Sequence, residues 1–570
     1  MSPTYSTDEL FDCIIPYIHQ NDRNSVSLVS RKLYELDSLT RKHVTLRNCY
    51  SVPPSRLVTR FPNLESLTLV GRPNKACVPV AWGGIVDDWV AVMIKSLKRL
   101  ECVRFKRMIV FNEDLERLAG MCGERIKVLR IEGCAGFSTD GLLHIGKKCS
   151  GLRVLSLEKS LIVDKDGEWL RELAERSKGI ETLNLFMTYL SKYDCGDFVK
   201  IAKNCGGSLV CLRIGNCHLK YVADIFRYGV KLEDFSSDPY IEEGEEEFDV
   251  KYPPTMRSVA FLHGIQQDIP VIQSFAHQLT KFDLRFSTFN ADDHCAIIYL
   301  CPNLEVLYTR DTIEDLGLQF VGHICKKLRR IKVEKSGQVG LVSDVGLLAL
   351  AKGCLELESL HITIKDIQNV VLEFIGANLK NLLDFGLVLH NKEEPVSDLP
   401  LDNGICALLK GCTKLEKLSI HLRPGGLTDL GCGYIGKYGQ NLRYMNLGFC
   451  PESDAGLVEL SKGCPKLQKF EVSGCDFSQQ ALVTFVLNVT SLRYLWVEDY
   501  HAFKCGHDLF AMVRPFWKME LITYEPNVAN APEGATQQKP TSLLAYYSLA
   551  EQRNDFPKSV IPLYPFVEFD

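Results

Sequence analysis

Cysteine and histidine are the side chains here best suited to nucleophilic or metal chemistry, and the chain carries 22 of one and 13 of the other. A structural zinc site needs close pairs of them, and no Cys-x-x-Cys pair occurs. His294 next to Cys295 could form a base–nucleophile couple. Neighbours in sequence need not face each other, though, and nothing nearby would orient the imidazole. The pair therefore reads as buried and structural. Gly-x-Ser-x-Gly, His-Glu-x-x-His and the phosphate-binding loop are all missing, so no catalytic constellation emerges.

The totals narrow the class. The chain has 570 residues, 66 basic and 71 acidic, for a formal charge of −5. That balance does not suggest bulk nucleic-acid binding. With 46% hydrophobic residues, a packed interior is feasible. The N-terminus, MSPTYSTDEL, lacks the basic and apolar regions of an export signal, and no run of 18 apolar residues exists. We therefore expect no membrane span and reduced cysteines. The glycosylation sequon Asn488-Val489-Thr490 carries no weight in such a chain.

What positions the cysteines is a repeat. Four segments follow L-x-x-L-x-L-x-x-C with apolar substitutes: Ile126–Leu129–Ile131–Cys134, Leu209–Leu212–Ile214–Cys217, Leu442–Met445–Leu447–Cys450 and Leu467–Phe470–Val472–Cys475. A second element, Cys-x-x-Leu-x-x-Leu, recurs with variation at Cys149, Cys301, Cys325, Cys354, Cys412 and Cys464. Cys325 and Cys354 lie 29 residues apart, and Cys354 and Cys412 twice that. These periods match leucine-rich repeats of one strand and one helix each. Asp344–Gly353 shows helix spacing and stops at a glycine. One such unit cannot bury its own apolar face, so units must stack into an α/β solenoid with a shared core. A small apolar thiol suits that core.

Repeats run from about Phe61 to about Val497, with an acidic run at Glu242–Glu247 and longer inserts at 71–89, 334–343 and 391–404. Period-two alternation points the residue inside L-x-L, and the one after it, out of the core. The inner series is Ser156, Asn184, Arg213, Asp283, Tyr308, Lys332, His361, Gly386, Ser419, Asn446, Glu471 and Trp496. The following series includes Arg285, Arg310, Glu334, Thr363, Val388, His421, Ser473 and Glu498. Aromatic, cationic and histidine residues alternate there, which favours a binding surface over a merely solvated face.

Residues 5–45 differ. Leu10, Ile14, Ile15 and Ile18 fit one short helix face, and Val26, Leu28, Val29, Leu33 and Leu36 fit others, with Ser6 or Thr7 as an N-cap. A module this small cannot hide that apolar surface alone. The segment, with D-R-N-S-V-S-L-V-S-R-K-L-Y, resembles an F-box. The likeness extends over nearly the whole chain through RFPNLESLTLVGRP, AWGG at 81–84, RMIV at 107–110, PNLEVL at 302–307, DLPLDNG at 398–404, GGLTDLG at 425–431, SLRYLWV at 491–497 and LLAYYSLAEQR at 543–553. In these segments the chain resembles the coronatine-insensitive jasmonate-receptor family of plant F-box proteins, a sister group of the auxin receptors.

That resemblance implies an F-box at 1–45, a leucine-rich-repeat horseshoe at 46–540 and a C-terminal cap at 541–570. It implies no catalysis. The family's role is to select substrates for a ubiquitin ligase in nucleus and cytoplasm. The implied partners are a Skp-type adaptor met through Leu10, Ile14 and Val29, a cullin, and jasmonate repressors with a ZIM domain. The implied ligands are a jasmonoyl–amino-acid conjugate and an inositol phosphate. Their binding positions fall at Asn74 and Val78 on the first insert. On the repeats they fall at Arg310, Lys332, Thr363, Gly386, Val388, His421, Tyr444, Asn446 and Ser473. Where the family carries arginine, Lys332 keeps a charge without the planar fork, and Asn74, Gly386 and Ser473 keep neither. Losing several charge-assisted bonds at about 1.5–3 kcal/mol each would weaken such a site by orders of magnitude. Arg72, Lys75, Arg285 and Arg310 are the nearby cations that could compensate. Two readings therefore stay open: a hormone-dependent receptor, and a ligase receptor whose ligand is lost or changed. A repeat scaffold with no ubiquitin role is the third.

Overall fold

The computed structural model describes residues 14–18, 20–240, 250–261, 269–336, 342–389, 398–449, 453–475, 477–500, 514–523, 541–551, 553 and 556–563. Leu10, Ser6, Thr7, Cys450, the acidic run at 242–247, residues 337–341 of the second insert and 391–397 of the third lie outside these residues. Two compact units divide the chain. One comprises Met1–Leu232, Pro239–Pro253 and Leu549–Pro557, and the other Glu233–Asp238, Pro254–Ser548 and Lys558–Asp570.

In the first unit, two short helices, Gln20–Ser27 and Arg31–Thr40, precede the repeats. Buried Asp37 holds this module together: it pairs with Arg23 at 3.0 Å, Arg41 at 2.8 Å and Arg60 at 3.5 Å. Repeat strands follow: β1 (His43–Leu46), β2 (Ser66–Val70), β3 (Cys102–Lys106) and β4 (Val128–Glu132). β5 (Ala135–Ser138) and β7 (Leu161–Val163) form a small parallel pair of their own. β6 (Val154–Ser156), β8 (Thr182–Asn184) and β9 (Cys211–His218) complete the main series. β1, β2, β3, β4, β6, β8 and β9 pair in that order, all parallel. The ladder thus starts at His43, one strand ahead of the Phe61 expected from the pattern. β1 escapes the pattern because it presents only His43-Val44-Thr45-Leu46.

The second unit repeats the plan with β10 (Asp234–Tyr240), β11 (Ser258–Phe261), β12 (Lys281–Asp283), β13 (Val306–Arg310), β14 (Arg330–Glu334), β15 (Ser359–Ile364), β16 (Asp384–Leu389), β17 (Lys417–His421), β18 (Tyr444–Gly448), β19 (Lys469–Ser473) and β20 (Tyr494–Val497). Each pairs in parallel with the next. Then the chain reverses: β21 (Trp517–Thr523), β22 (Thr541–Tyr547) and β23 (Val560–Leu563) add antiparallel, with β22 against β20. Parallel neighbours need a crossover, and the repeat helices supply it.

Three devices make the stacking specific. Leu129, Ile131, Leu212, Ile214, Met445, Leu447, Phe470 and Val472 are all buried at the positions the repeat assigns to the core. The recurring thiols lie inside and donate to carbonyls of the preceding repeat: Cys325 to Cys301 at 3.5 Å, Cys354 to Cys325 at 3.3 Å and Cys412 to Leu379 at 3.4 Å. Burial pushes the Cys301, Cys354 and Cys464 thiols up to about 12, so they stay protonated. At the helix starts, a carboxylate from one repeat accepts from the N-cap segment of the next. Asp315 takes the Ser343 amide at 2.7 Å, Asp402 the Thr428 amide at 3.0 Å and Asp454 the Ser478 amide at 2.9 Å. The helix Asp344–Gly353 begins and ends as the sequence predicts. Its terminal glycine is needed for closeness: a Cβ on Gly353 would run into the backbone of Gly322 on the neighbouring helix.

Candidate functional site

Strand register sets three parallel rows on the open face of the second unit. Tyr308, Lys332, His361, Gly386, Ser419, Asn446, Glu471 and Trp496 are Cα partners in sequence, which reproduces the inner series. Thr363, Val388, His421, Gly448 and Ser473 form the following row. A third row, Arg330, Ser359, Asp384, Lys417, Tyr444, Lys469 and Tyr494, lies one alternation earlier. Of this third row, sequence reasoning named only Tyr444. The same period-two count, carried two residues toward the N-terminus, finds the rest.

Facing outward does not guarantee exposure. Trp496 is fully buried, which corrects its place in the expected surface. β22 pairs antiparallel with β20 and sets Leu544 opposite Trp496, and nothing in the repeat pattern announces that strand. Ser156, Asn184 and Arg213 in the first unit are buried as well. So is Thr363, whereas Val388 is 39% exposed. Lys332, Arg310, His421, Tyr444, Asn446 and Ser473 are half-buried, and Gly386 is buried. On the first insert, in the other unit, Asn74 is exposed and Val78 is 1% exposed, so the Val78 side chain is part of the core there. Arg72 donates to the Val78 carbonyl at 3.1 Å and thereby braces its own loop.

The charges on the face are matched among themselves. Glu334 takes Lys332 at 2.6 Å and Arg285 at 3.4 Å, and Arg285 also pairs with buried Asp283 at 2.8 Å. Arg285 is therefore engaged rather than spare. Asp384 takes His361 Nε2 at 2.8 Å and Lys417 at 3.1 Å. Buried Glu471 takes Lys469 at 2.8 Å and the Tyr444 hydroxyl at 3.1 Å. Burial pushes the Glu334 carboxyl up, but Lys332 and Arg285 outweigh it and hold it below the usual range. The Asp384 carboxyl follows the same logic: burial raises it, and His361 with Lys417 brings it below. Burial, then Glu471, drives the Tyr444 phenol up. Among the described residues Arg310 has no carboxylate partner; its guanidinium stands 5.9 Å from the Phe286 ring centroid. Asn446 reaches Ser419 at 3.4 Å.

Two glycines on this face make room for imidazoles. A Cβ on Gly386 would lie 2.8 Å from His361 Cγ and closer still to Nδ1. A Cβ on Gly448 would lie 2.8 Å from His421 Cγ. The face is thus a set of hydrogen-bonded trios with two flat imidazoles, suited to polar contacts along an extended ligand rather than to covalent chemistry. His294, by contrast, is 1% exposed and bonds Asn290 O at 2.6 Å and Thr309 Oγ1 at 3.0 Å. Burial lowers its pKa, as expected of a structural histidine. No cluster of three or more His, Cys, Asp or Glu able to hold a metal occurs among the described residues.

At the N-terminal module Ile15 is buried, but other apolar residues lie open. Ile14 is 51% exposed, Tyr17 89%, Leu28 81% and Val29 74%. An F-box family model matches residues 3–43, and so covers this module. Over 576 residues the chain is 42% identical to coronatine-insensitive protein 1 of Arabidopsis thaliana, spanning 98% of this chain and 97% of that one. The chain belongs to the coronatine-insensitive F-box family. Coronatine-insensitive protein homolog 1b of Oryza sativa subsp. japonica is also 42% identical, over 98% of this chain and 96% of its own. Among solved structures, the TLR13–ssRNA13 complex covers 80% of this chain and 67% of its own at 14% identity, with a TM-score of 0.38. As a member of the coronatine-insensitive family, the chain pairs an F-box with leucine-rich-type repeats. The trios on its open face are a local arrangement of its own residues.

Proposed function

We propose that this protein is the substrate-recognition subunit of an SCF-type ubiquitin ligase, acting in nucleus and cytoplasm without catalysing a reaction itself. The observation that carries the reading is the uncovered apolar surface of the F-box, Ile14, Tyr17, Leu28 and Val29, on a module held rigid by Asp37. Uncovered apolar area of this kind marks a partner site. A Skp-type adaptor, and through it a cullin, covers that surface. The open face of the second unit receives the degron of a ZIM-domain repressor together with a jasmonoyl–amino-acid conjugate, and an inositol phosphate sits beneath.

A second reading has specific support. Glu334, Asp384 and Glu471 already occupy the cations nearest the face's centre. A ligand carboxylate has to displace one of them or rely on Arg310. This favours a receptor that takes its target peptide directly, with the hormone lost or exchanged.

One experiment separates the readings. The protein is co-expressed with adaptor and titrated with a repressor degron peptide, with and without hormone conjugate, at fixed salt. Hormone-dependent capture supports the first reading, and capture indifferent to hormone supports the second. Aspartate at Ile14 and Val29 should release the adaptor without lowering the melting temperature. A folded protein that ignores adaptor removes the ligase assignment.

A further inference from the structure

The turn that leads into the helix Cys195–Cys205 brings two thiols together. Cys195 is the first residue of that helix, after the N-cap Asp194, whose carboxylate accepts from the Gly196 amide at 2.8 Å. Cys217, near the end of β9, is wholly buried. The two side chains hydrogen-bond to each other, and the His218 amide bonds Cys195 as well. Cys195 Sγ stands 3.8 Å from the Asn216 carbonyl, and Cys217 Sγ stands 3.8 Å from the His218 carbonyl.

The repeat cysteines Cys134, Cys354 and Cys464 are placed differently. Cys134, the counterpart of Cys217 three repeats earlier, bonds only backbone: it donates to Phe105 O at 3.5 Å and accepts from the Met108 amide at 3.4 Å. Cys354 and Cys464 likewise donate only to carbonyls. Cys195 is half-buried and within reach of solvent. Its thiolate is favoured first by the Cys217 thiol; burial opposes, the His218 amide helps, and the group falls to about 7. Every other described cysteine with a resolved shift is pushed up. A nucleophilic, accessible thiol touching a buried partner is the arrangement of an attacking and a resolving cysteine.

We propose that Cys195 and Cys217 are an oxidisable dithiol, a modification site at which a hydroperoxide oxidises Cys195 and Cys217 closes the disulfide. The Cys195 thiolate attacks the peroxide and breaks its O–O bond. The products are a sulfenic acid and hydroxide, or an alkoxide from an organic peroxide. The Cys217 thiol then attacks the sulfenic sulfur, the S–S bond forms, and water leaves with the Cys217 proton. Together the thiols lose two electrons, and the peroxide gains them. The cross-link ties the end of β9 to the start of the helix before it. It also removes the thiol from the Asn216 carbonyl, which keeps its bond from the Tyr193 hydroxyl at 3.2 Å.

The test uses the full-length protein with hydrogen peroxide, followed by alkylation and peptide mass spectrometry. A Cys195–Cys217 peptide pair, two hydrogens lighter and restored by dithiothreitol, should be the first oxidation product. Cys217→Ser should accumulate a sulfenic acid at Cys195 that dimedone traps, and Cys195→Ser should leave Cys217 a thiol. Untreated wild-type protein gives a reading that needs no variant. At neutral pH iodoacetamide should modify Cys195 roughly tenfold faster than half-buried Cys295, whose thiol burial pushes up. Equal alkylation rates would overturn the proposal, and so would a wild-type Cys195 that oxidises without forming the cross-link.

Discussion

The imidazole of His361 occupies the space above Gly386, and its Nε2 is fixed by Asp384 at 2.8 Å. Any side chain at Gly386 must eject that ring. Gly386→Arg alone should therefore weaken capture of a degron peptide, because it breaks the His361–Asp384 pair before it supplies a new cation. His361→Ala combined with Gly386→Arg should recover capture or improve on it. Peptide binding by the two variants, compared at one ionic strength, checks this. Equal behaviour of both would mean that His361 does not gate the position.

The Asp384 trio predicts an acid response. The carboxyl is held below its usual range in the fold, so its contribution is fully present above the unfolded carboxylate pKa of about 3.9. It is lost as pH falls through the depressed folded value. Denaturant midpoints should drop more steeply below about pH 4 in the wild type than in Asp384→Asn. Parallel pH profiles would show that the trio contributes nothing to stability.

Asp37 predicts a stability effect in the adaptor module. It is 3% exposed at the side chain and serves Arg23, Arg41 and Arg60. Removing one partner of a buried ion network costs about 3–5 kcal/mol. Asp37→Ala should loosen residues 20–60 to proteolysis and abolish adaptor binding, while the repeats keep their melting transition. Limited digestion followed by mass spectrometry reads both.

Thiol labelling tests the repeat core. Of the described cysteines none is more than half exposed to solvent, and Cys301, Cys325, Cys354, Cys412 and Cys464 are fully inside. Native protein should label at few positions, Cys195 first among them, and denatured protein at all 22. Fast native labelling at Cys354 would contradict the stacking.

Much of this was legible because the repeat is a burial code. Leu129, Ile131, Met445 and Leu447 are inside because their spacing fits one strand face, and Cys354 recurs because a thiol can both fill space and donate a hydrogen bond. The row Lys332–His361–Gly386–Ser419–Asn446 follows from alternation alone. What eluded the pattern depends on partners from other strands. Trp496 is buried beside β22, which lies beyond the repeats and sets Leu544 opposite it. Arg285 is engaged because Asp283 ends the strand just before it and Glu334 lies two strands away. The His361 ring lies over Gly386, where a Cβ would collide with it, a matter of side-chain rotamer that spacing does not encode.

The carboxylates at the helix starts imply a direction of assembly. Asp315 waits for Ser343, Asp402 for Thr428 and Asp454 for Ser478: in each case the acceptor precedes its donor along the chain. A ribosome releases the acceptor first. Each of these three helices therefore finds the acceptor for its N-cap amide already installed on the repeat before it, so that synthesis can lay these repeats down one after another without waiting for the last to appear.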